Sequence, residues 1–242
     1  FVERSVVPVY EAVSDAGIDW SDFGEYLFNE RILSGDRSEL ANPYGVQPER
    51  ARAHQGQLTR DLGPQKMTVL EEQVLRLRAG ADTIAEQAYE AGLYTDAMRA
   101  QMLENPAYAP FRVVEYMDTH VNWQNLRQVG TLKEIGNPAD ALVLKMLSTI
   151  TAIERQKVTS GVAKWLEQFE PGDIENAKTR WNGKSREPLP PRDRTQGLIV
   201  YRVRGHLVGK YVDKTIADSV NNESIGRNGA LMSVLNWVTG AP

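Results

Sequence analysis

Five basic side chains lie close together in one stretch of the sequence and are its clearest candidates for binding chemistry. The stretch 176–214 holds 10 Lys and Arg against 3 Asp and Glu. Guanidinium and ammonium groups at this density can bind nucleic acid, an anionic membrane surface or an acidic partner. The candidate contacts with a partner or with nucleic acid are Arg192, Arg194, Arg202, Arg204 and Lys210.

The net charge of the whole chain conceals this stretch. The 242 residues carry a formal charge of −4, yet residues 1–175 hold 17 Lys and Arg against 27 Asp and Glu. Few aromatic residues accompany the cations (Trp181, Tyr201 and Tyr211), and the stretch matches no known nucleic-acid module. We therefore favour the interpretation that the basic stretch neutralises the acidic residues of the helical part within one assembly. Binding to an external anionic partner is the alternative.

No set of residues has the spacing of a known catalytic or metal site. His54, His120 and His206 are scattered and the chain has no cysteine, which argues against a zinc site. Glycine patterns of phosphate-binding loops and the Gly-x-Ser-x-Gly elbow do not occur. Glu71–Glu72 and Glu86/Glu90 are carboxylate pairs of a kind that usually stays solvated on a helix. We expect no catalytic residue, no cofactor and no metal.

One fragment near the C-terminal end resembles a motif of lytic transglycosylases. Glu223-Ser224 and Gly229-Ala-Leu-Met232 are similar to the Glu-Ser and Gly-x-Leu-Met elements of these peptidoglycan-cleaving enzymes. The resemblance implies that Glu223 protonates a glycosidic oxygen. However, the two elements stand too close together, and Ser233 replaces the Gln that usually follows the Met. A muralytic segment is therefore an alternative function.

Hydrophobic periodicity predicts a mainly α chain. Thr95 and Asn137 are suitable N-caps, and Gly63-Pro64 should interrupt a long helical stretch. The last of the long helices exceeds what a compact core of this size needs, so we expect it to reach a partner or a neighbouring domain. Helices are predicted over 20–33, 48–62, 65–91, 96–104, 138–169, 213–221 and 225–238.

The C-terminal quarter changes character. Leu198–Val203 and Leu207–Val212 are rich in β-branched and aromatic residues and flank Arg204-Gly205-His206, which predicts a β-hairpin. An isolated hairpin is marginal in water, so this one must pack on helices or on another chain. The predicted fold class is thus mainly α, an extended multi-helix array with one small β-hairpin near the C-terminal end.

The predicted domain organisation has three parts. Residues 1–182 form a helical domain, 183–196 a linker rich in Pro and Arg, and 197–242 the hairpin plus helices. The chain begins at Phe1 and ends at Pro242 in the course of an apolar pattern. We expect it to be a piece of a longer protein that continues on the C-terminal side.

Three stretches resemble the helical region of large phage and prophage polyvalent proteins, including the internal virion or ejection proteins of short-tailed phages. They are the Glu-Ala-Gly-Leu passage within 89–112, the segment 130–155 with its polar turn and long helix, and the hairpin region 197–220. The sequence departs from that pattern at Gln156 and at Lys214-Thr215.

The resemblance implies a non-enzymatic structural and interaction segment that assembles with copies of itself or with portal, core or tail proteins. It further implies a role in delivering DNA into the host, with DNA as a partner and a membrane only through regions outside this chain. The expected location is the virion interior and, after ejection, the host cell envelope.

Overall fold

The computed structural model describes residues 2–34, 46–103, 136–183 and 185–226, with the side chains of residues 2, 101, 103 and 222–226 left out. The described chain is mainly helical with small antiparallel β-structure near its C-terminal end, which confirms the predicted fold class. The helices are α1 (Val7–Asp15), α2 (Trp20–Leu33), α3 (Pro48–Glu90), α4 (Asp96–Leu103), α5 (Pro138–Phe169) and α6 (Lys214–Gly226). The strands are β1 (Glu175–Asn176), β2 (Thr179–Trp181), β3 (Arg186–Pro188), β4 (Gln196–Val203) and β5 (His206–Asp213).

Capping side chains set the starts of α4 and α5, whereas the residues before α1 and α2 make no side-chain cap hydrogen bond. Asn137 Oδ1 accepts a hydrogen bond from the Ala139 amide at 2.8 Å, and Thr95 Oγ1 accepts one from Met98 at 3.1 Å. Gly63, at φ 73° and ψ 169°, breaks α3 where the sequence predicts it. The first helical turns at Val2–Val6 and α1 were not predicted, and the helix predicted over 225–238 lies almost wholly outside the described residues.

The contacts group the chain into two compact units. Unit 1 takes in Phe1–Ile84 and Gln101–Ser148, and unit 2 takes in Ala85–Ala100 and Thr149–Pro242. Helices α3 and α5 therefore contribute residues to both units. The predicted boundaries at residues 183 and 197 both lie within unit 2, and the three-part division stays a prediction.

The core of unit 1 forms around α2. Val6, Val9 and Val13 recur at helical spacing and are buried on the α1 side. On α2, Phe23 and Leu27 are fully buried, and the Trp20 ring stacks on Phe23 with centroids 4.8 Å apart. The remaining buried side chains of this unit include Leu70, Val74 and Leu77 of α3 and Leu142, Val143 and Met146 of α5.

The start of α2 and the start of α5 are joined by hydrogen bonds between residues far apart in sequence. Trp20 Nε1 donates to Asp140 Oδ1 at 2.7 Å, and Asn137 Nδ2 donates to the Trp20 carbonyl at 2.9 Å. Burial raises the pKa of the Asp140 carboxyl, and the bond from Trp20 acts in the opposite direction. Asn137 thus caps its own helix and holds the neighbouring one.

The Asn137 side chain fits here only because residue 24 has no side chain. A Cβ at Gly24 would lie 1.9 Å from Asn137 Oδ1, well inside van der Waals contact. The sequence gives no signal for this close approach, because Gly24 stands in the middle of a helix, where glycine is ordinarily unfavourable.

We expect Gly24→Ala to lower the free energy of unfolding by about 2–4 kcal/mol, because the new methyl group displaces the Asn137 cap and overpacks the junction. The matched control is Gly56→Ala in α3, where the new Cβ would meet, among the described residues, just the tip of the Arg60 side chain at 3.7 Å. That change should raise stability by about 0.5–1 kcal/mol. Urea unfolding followed by circular dichroism measures both, and equal effects would contradict the close contact.

Unit 2 is built on a three-stranded antiparallel sheet in the order β1–β5–β4. The β4–β5 register runs from Gln196 opposite Asp213 to Val203 opposite His206, which confirms the predicted hairpin; its turn is Arg204-Gly205 alone, because His206 already belongs to β5. Both turn residues have positive φ, 48° and 80°, as a type I′ turn requires.

The two faces of this sheet are covered by different elements. On one face, Ile199, Tyr201 and Val212 pack with Ala163 and Leu166 of α5 and with Ala217 and Val220 of α6. On the other face, Pro188 of β3 packs against Gly209 of β5, and Tyr211 is buried. The hairpin therefore packs on helices, which is one of the two arrangements expected from its marginal stability in isolation.

Candidate interaction surfaces

Two of the five candidate basic residues take part in the internal structure of unit 2. Arg202 Nη1 donates to the Gly205 carbonyl at 2.6 Å, which ties this side chain to the β4–β5 turn, and burial lowers the pKa of its guanidinium. Lys210 donates to Glu167 of α5 and, at 2.7 Å, to Asn176 Oδ1 of β1. Its side chain is only 12% exposed. Neither cation is available to a partner in this arrangement.

The other three candidates are exposed but do not form one site. Arg192 and Arg194 precede β4, whereas Arg204 lies in the turn at its other end. Eight strand residues at about 3.3 Å each put roughly 26 Å between these two groups. None of these three side chains makes a hydrogen bond or an ion pair with a described residue.

The backbone edge of β4 is covered by a glutamine that the sequence analysis noted only as a departure from a motif. Gln156 of α5 is buried, and its Nε2 donates to the Arg202 carbonyl at 2.6 Å while its Oε1 accepts from the Arg202 amide at 2.8 Å. Farther along the same edge, Asn221 Nδ2 donates to the Leu198 carbonyl at 3.3 Å. The side-chain amides thus replace the neighbouring strand that an open edge would recruit.

The hairpin turn is held against the end of α3. The Gly205 amide donates to the Gly92 carbonyl at 2.8 Å. Close by, Tyr89 donates to Asp96 Oδ1 at 2.7 Å, a bond that raises the pKa of the tyrosine hydroxyl, and Arg99 pairs with Glu86 at 2.8 Å. These bonds fix the loop that receives the turn.

A second small hairpin, which the sequence analysis missed, projects from the sheet. We call it the ribbon: β2 and β3 pair antiparallel, with Arg180 opposite Glu187 and Trp181 opposite Arg186. The prolines of 188–191 suggested a linker instead. A signal was present in Asn182-Gly183, a turn pair flanked by short strand-forming residues.

The ribbon is anchored at its base by the buried Tyr211 of β5. The Lys178 amide donates to the Tyr211 hydroxyl oxygen at 3.1 Å, and the same hydroxyl donates to the Leu189 carbonyl at 3.1 Å. The Leu189 amide in turn donates to the Lys178 carbonyl at 2.7 Å. One side chain therefore holds both strands of the ribbon.

The far half of the ribbon is open to solvent. Trp181 is 63% exposed, and Arg180 and Arg186 are exposed without a side-chain hydrogen bond or ion pair among the described residues, as is the side chain of Lys178 at the base. By contrast, Glu187 accepts a hydrogen bond from Asn182. In the following turn, Asp193 Oδ1 accepts from the Thr195 amide and hydroxyl, both at 2.8 Å, which lowers the pKa of its carboxyl.

A second exposed surface is an apolar row on α5. We call it the α5 stripe: Val158, Val162, Trp165 and Phe169. Val158, Trp165 and Phe169 are 43%, 51% and 60% exposed, and the last two rings touch with centroids 5.8 Å apart. Val162 lies partly buried against the unit 2 core. The stripe is thus continuous with the hydrophobic core through Val162, and no described residue covers its other three side chains.

The catalytic alternatives gain nothing from the structure. Glu71 and Glu72 are exposed, Glu86 is paired with Arg99, and the side chain of Glu223 lies outside the described residues. Among the residues that the structure describes, no His, Asp and Glu cluster could hold a metal ion. His54 lies 3.8 Å from Glu25, His206 is exposed, and His120 falls outside the described ranges. In the same described ranges, no helix combines the length and apolarity needed to cross a bilayer.

Comparison with known proteins adds no family: no family model, curated protein or solved structure matches this chain.

We expect Gln156→Leu to lower the free energy of unfolding by about 2–3 kcal/mol, because it leaves the amide and carbonyl of Arg202 without partners at a buried edge. Gln87→Leu, an exposed position on α3, is the matched control and should stay within about 0.5 kcal/mol of the wild type. Chemical unfolding of both variants provides the comparison. An equally small effect at Gln156 would show that the edge does not depend on this side chain.

Proposed function

We propose that this chain is a structural and interaction segment of a phage internal virion (ejection) protein. In this role it assembles with itself, or with portal, core or tail proteins, and helps to deliver DNA into the host. The three resembling stretches support the viral class, and the α5 stripe is the observation that carries the assembly role. The corresponding location is the virion interior first and the host cell envelope after ejection.

The spacing of the α5 stripe is that of a helix that packs on another helix. Its four residues follow each other at intervals of four, three and four, the a and d positions of a heptad pattern. Trp165 and Phe169 offer the largest apolar area, and aromatic side chains of this kind dominate the energetics of protein interfaces. An exposed row of this composition indicates an interaction site rather than a solvated helix face.

The residues beside the stripe favour a second copy of the same chain as the occupant. Gly161 and Gln168 flank it on one side without charge, and Thr159 and Leu166 are buried on the other side. A Cβ at Gly161 would have nothing within 4 Å, so the space above it is open to an approaching helix. Two identical faces can meet around a twofold axis here without repulsion between like charges.

We expect the 242-residue chain to self-associate, and we expect Trp165→Gln combined with Phe169→Gln to weaken that association by about 100-fold or more, because both rings leave the interface. Sedimentation velocity over a range of protein concentrations measures the effect. The matched control is Leu75→Gln on α3, which removes an apolar side chain that is 66% exposed but stands outside the stripe.

Two results would contradict the proposal. The first is a wild-type chain that stays monomeric at high concentration and also fails to bind portal and core proteins in a pull-down. The second is that the Leu75 variant weakens self-association as much as the Trp165/Phe169 variant does. That result would mean that the chain does not associate through the α5 stripe.

A further inference from the structure

We infer that the ribbon is a binding site for single-stranded nucleic acid, in which Trp181 stacks on a base and Arg186, on the same face, binds a phosphate, while Arg180 and Lys178 bind phosphates from the opposite face. This inference goes beyond the proposed function, since it concerns another surface and another class of partner. It stands whether or not the α5 stripe mediates self-association.

The first argument is the pairing of Trp181 with Arg186. Asn182 and Ser185 close the turn through a backbone hydrogen bond of 3.1 Å, so the next pair, Trp181 and Arg186, is a non-hydrogen-bonded pair. Side chains in such pairs stand on the same face with their Cα atoms about 4.5 Å apart. An aromatic surface for a base therefore lies directly beside a guanidinium fork for a phosphate.

The second argument is the state of the charges. The segment 178–194 holds six Lys and Arg against two carboxylates, Glu187 and Asp193. Both carboxylates accept hydrogen bonds within their own turns. Five of the six cations are described, and each is exposed without a side-chain hydrogen bond or ion pair in the described chain: Lys178, Arg180, Arg186, Arg192 and Arg194.

The cations of the basic stretch differ in whether they are bonded within the chain. Lys210 is neutralised by Glu167 within unit 2, the arrangement that we favour from the sequence for the whole basic stretch, whereas Arg202 is bound to the neutral Gly205 carbonyl. None of the five described cations of segment 178–194 forms an ion pair with a described carboxylate, although Arg180 stands opposite Glu187 in the ribbon. Four of the five are arginines, the side chain best suited to bidentate contact with phosphate.

The composition of the ribbon distinguishes between classes of partner. A membrane surface would need apolar area at the tip, but Trp181 is the sole large apolar side chain there, and the turn 182–185 is Asn-Gly-Lys-Ser. A duplex keeps its bases stacked within itself and gives Trp181 nothing to stack on. Single strands offer both an unstacked base and a close row of phosphates, which matches the exposed indole and its neighbouring cations.

The test uses the whole chain and a fluorescein-labelled oligo(dT) of about 20 nucleotides, with binding followed by fluorescence anisotropy at low salt. We expect Trp181→Leu to weaken binding about tenfold and Trp181→Phe to retain affinity within about threefold, because a phenyl ring still stacks. Arg180→Gln combined with Arg186→Gln should weaken binding at least tenfold and reduce the slope of log K against log salt by about 1.4.

The matched control for charge is Arg155→Gln combined with Lys164→Gln, two exposed cations on α5 in the same unit. This variant has the same net charge as the ribbon variant and should bind like the wild type. Three competitors complete the design: a duplex of the same length, vesicles containing phosphatidylglycerol, and polyglutamate.

Several results would overturn the inference. They are the absence of oligo(dT) binding at low salt, equal loss in the α5 control, and equal loss for the Leu and Phe variants at Trp181. Equal or tighter binding to the duplex, the vesicles or polyglutamate would also overturn it, in favour of a duplex groove, a membrane or an acidic protein.

Discussion

Unit 2 depends on one constraint, which is that the β4–β5 hairpin must be covered to be stable. A two-stranded hairpin buries too little surface to persist alone in water. Its Ile199 face meets α5 and α6, its Tyr211 face holds the ribbon, its turn bonds to Gly92, and its open edge is capped by Gln156. Each neighbouring element therefore occupies its place because it satisfies one side of the hairpin.

The same constraint divides the basic residues into two kinds. Arg202 and Lys210 lie on strands that must be covered, and their side chains bond to a carbonyl and a carboxylate of unit 2. The ribbon touches the sheet only at its base, and the cations beyond that base meet solvent. Cations that are close in sequence therefore have different roles. Those on strands β4 and β5 form bonds within unit 2, whereas those of the ribbon remain exposed to solvent.

The sequence was sufficient for elements whose signals are local. Asn137-Pro138 predicts the start of α5, Gly63-Pro64 the break in α3, and Arg204-Gly205-His206 the turn of the main hairpin to within one residue, because capping, proline geometry and turn conformation involve only adjacent residues. The ribbon has a local signal only in its turn pair, Asn182-Gly183, and the rest of it depends on a distant residue. Its strands have three residues each, and the Tyr211 hydroxyl that joins them comes from more than twenty residues away.

The candidate surfaces show the same limit. Sequence patterns located the basic stretch and the apolar positions of α5, but burial decides which of those side chains are free. Trp165 and Leu166 are adjacent, yet one is half exposed and the other lies in the core. Trp181 was noted only as one of a few aromatic residues, and its importance follows from its place beside Arg186 on an exposed face.

Native-state hydrogen exchange of Tyr211→Phe tests most directly the claim that the ribbon depends on the β4–β5 hairpin. The change removes one oxygen atom and, with it, the bonds to Lys178 and Leu189. The account predicts that the amides of Leu189 and Asn182 exchange about tenfold faster or more than in the wild type, while those of Ile199 and Tyr201 keep their protection. Unchanged protection of the ribbon amides, or an equal loss of protection across β4 and β5, would contradict it.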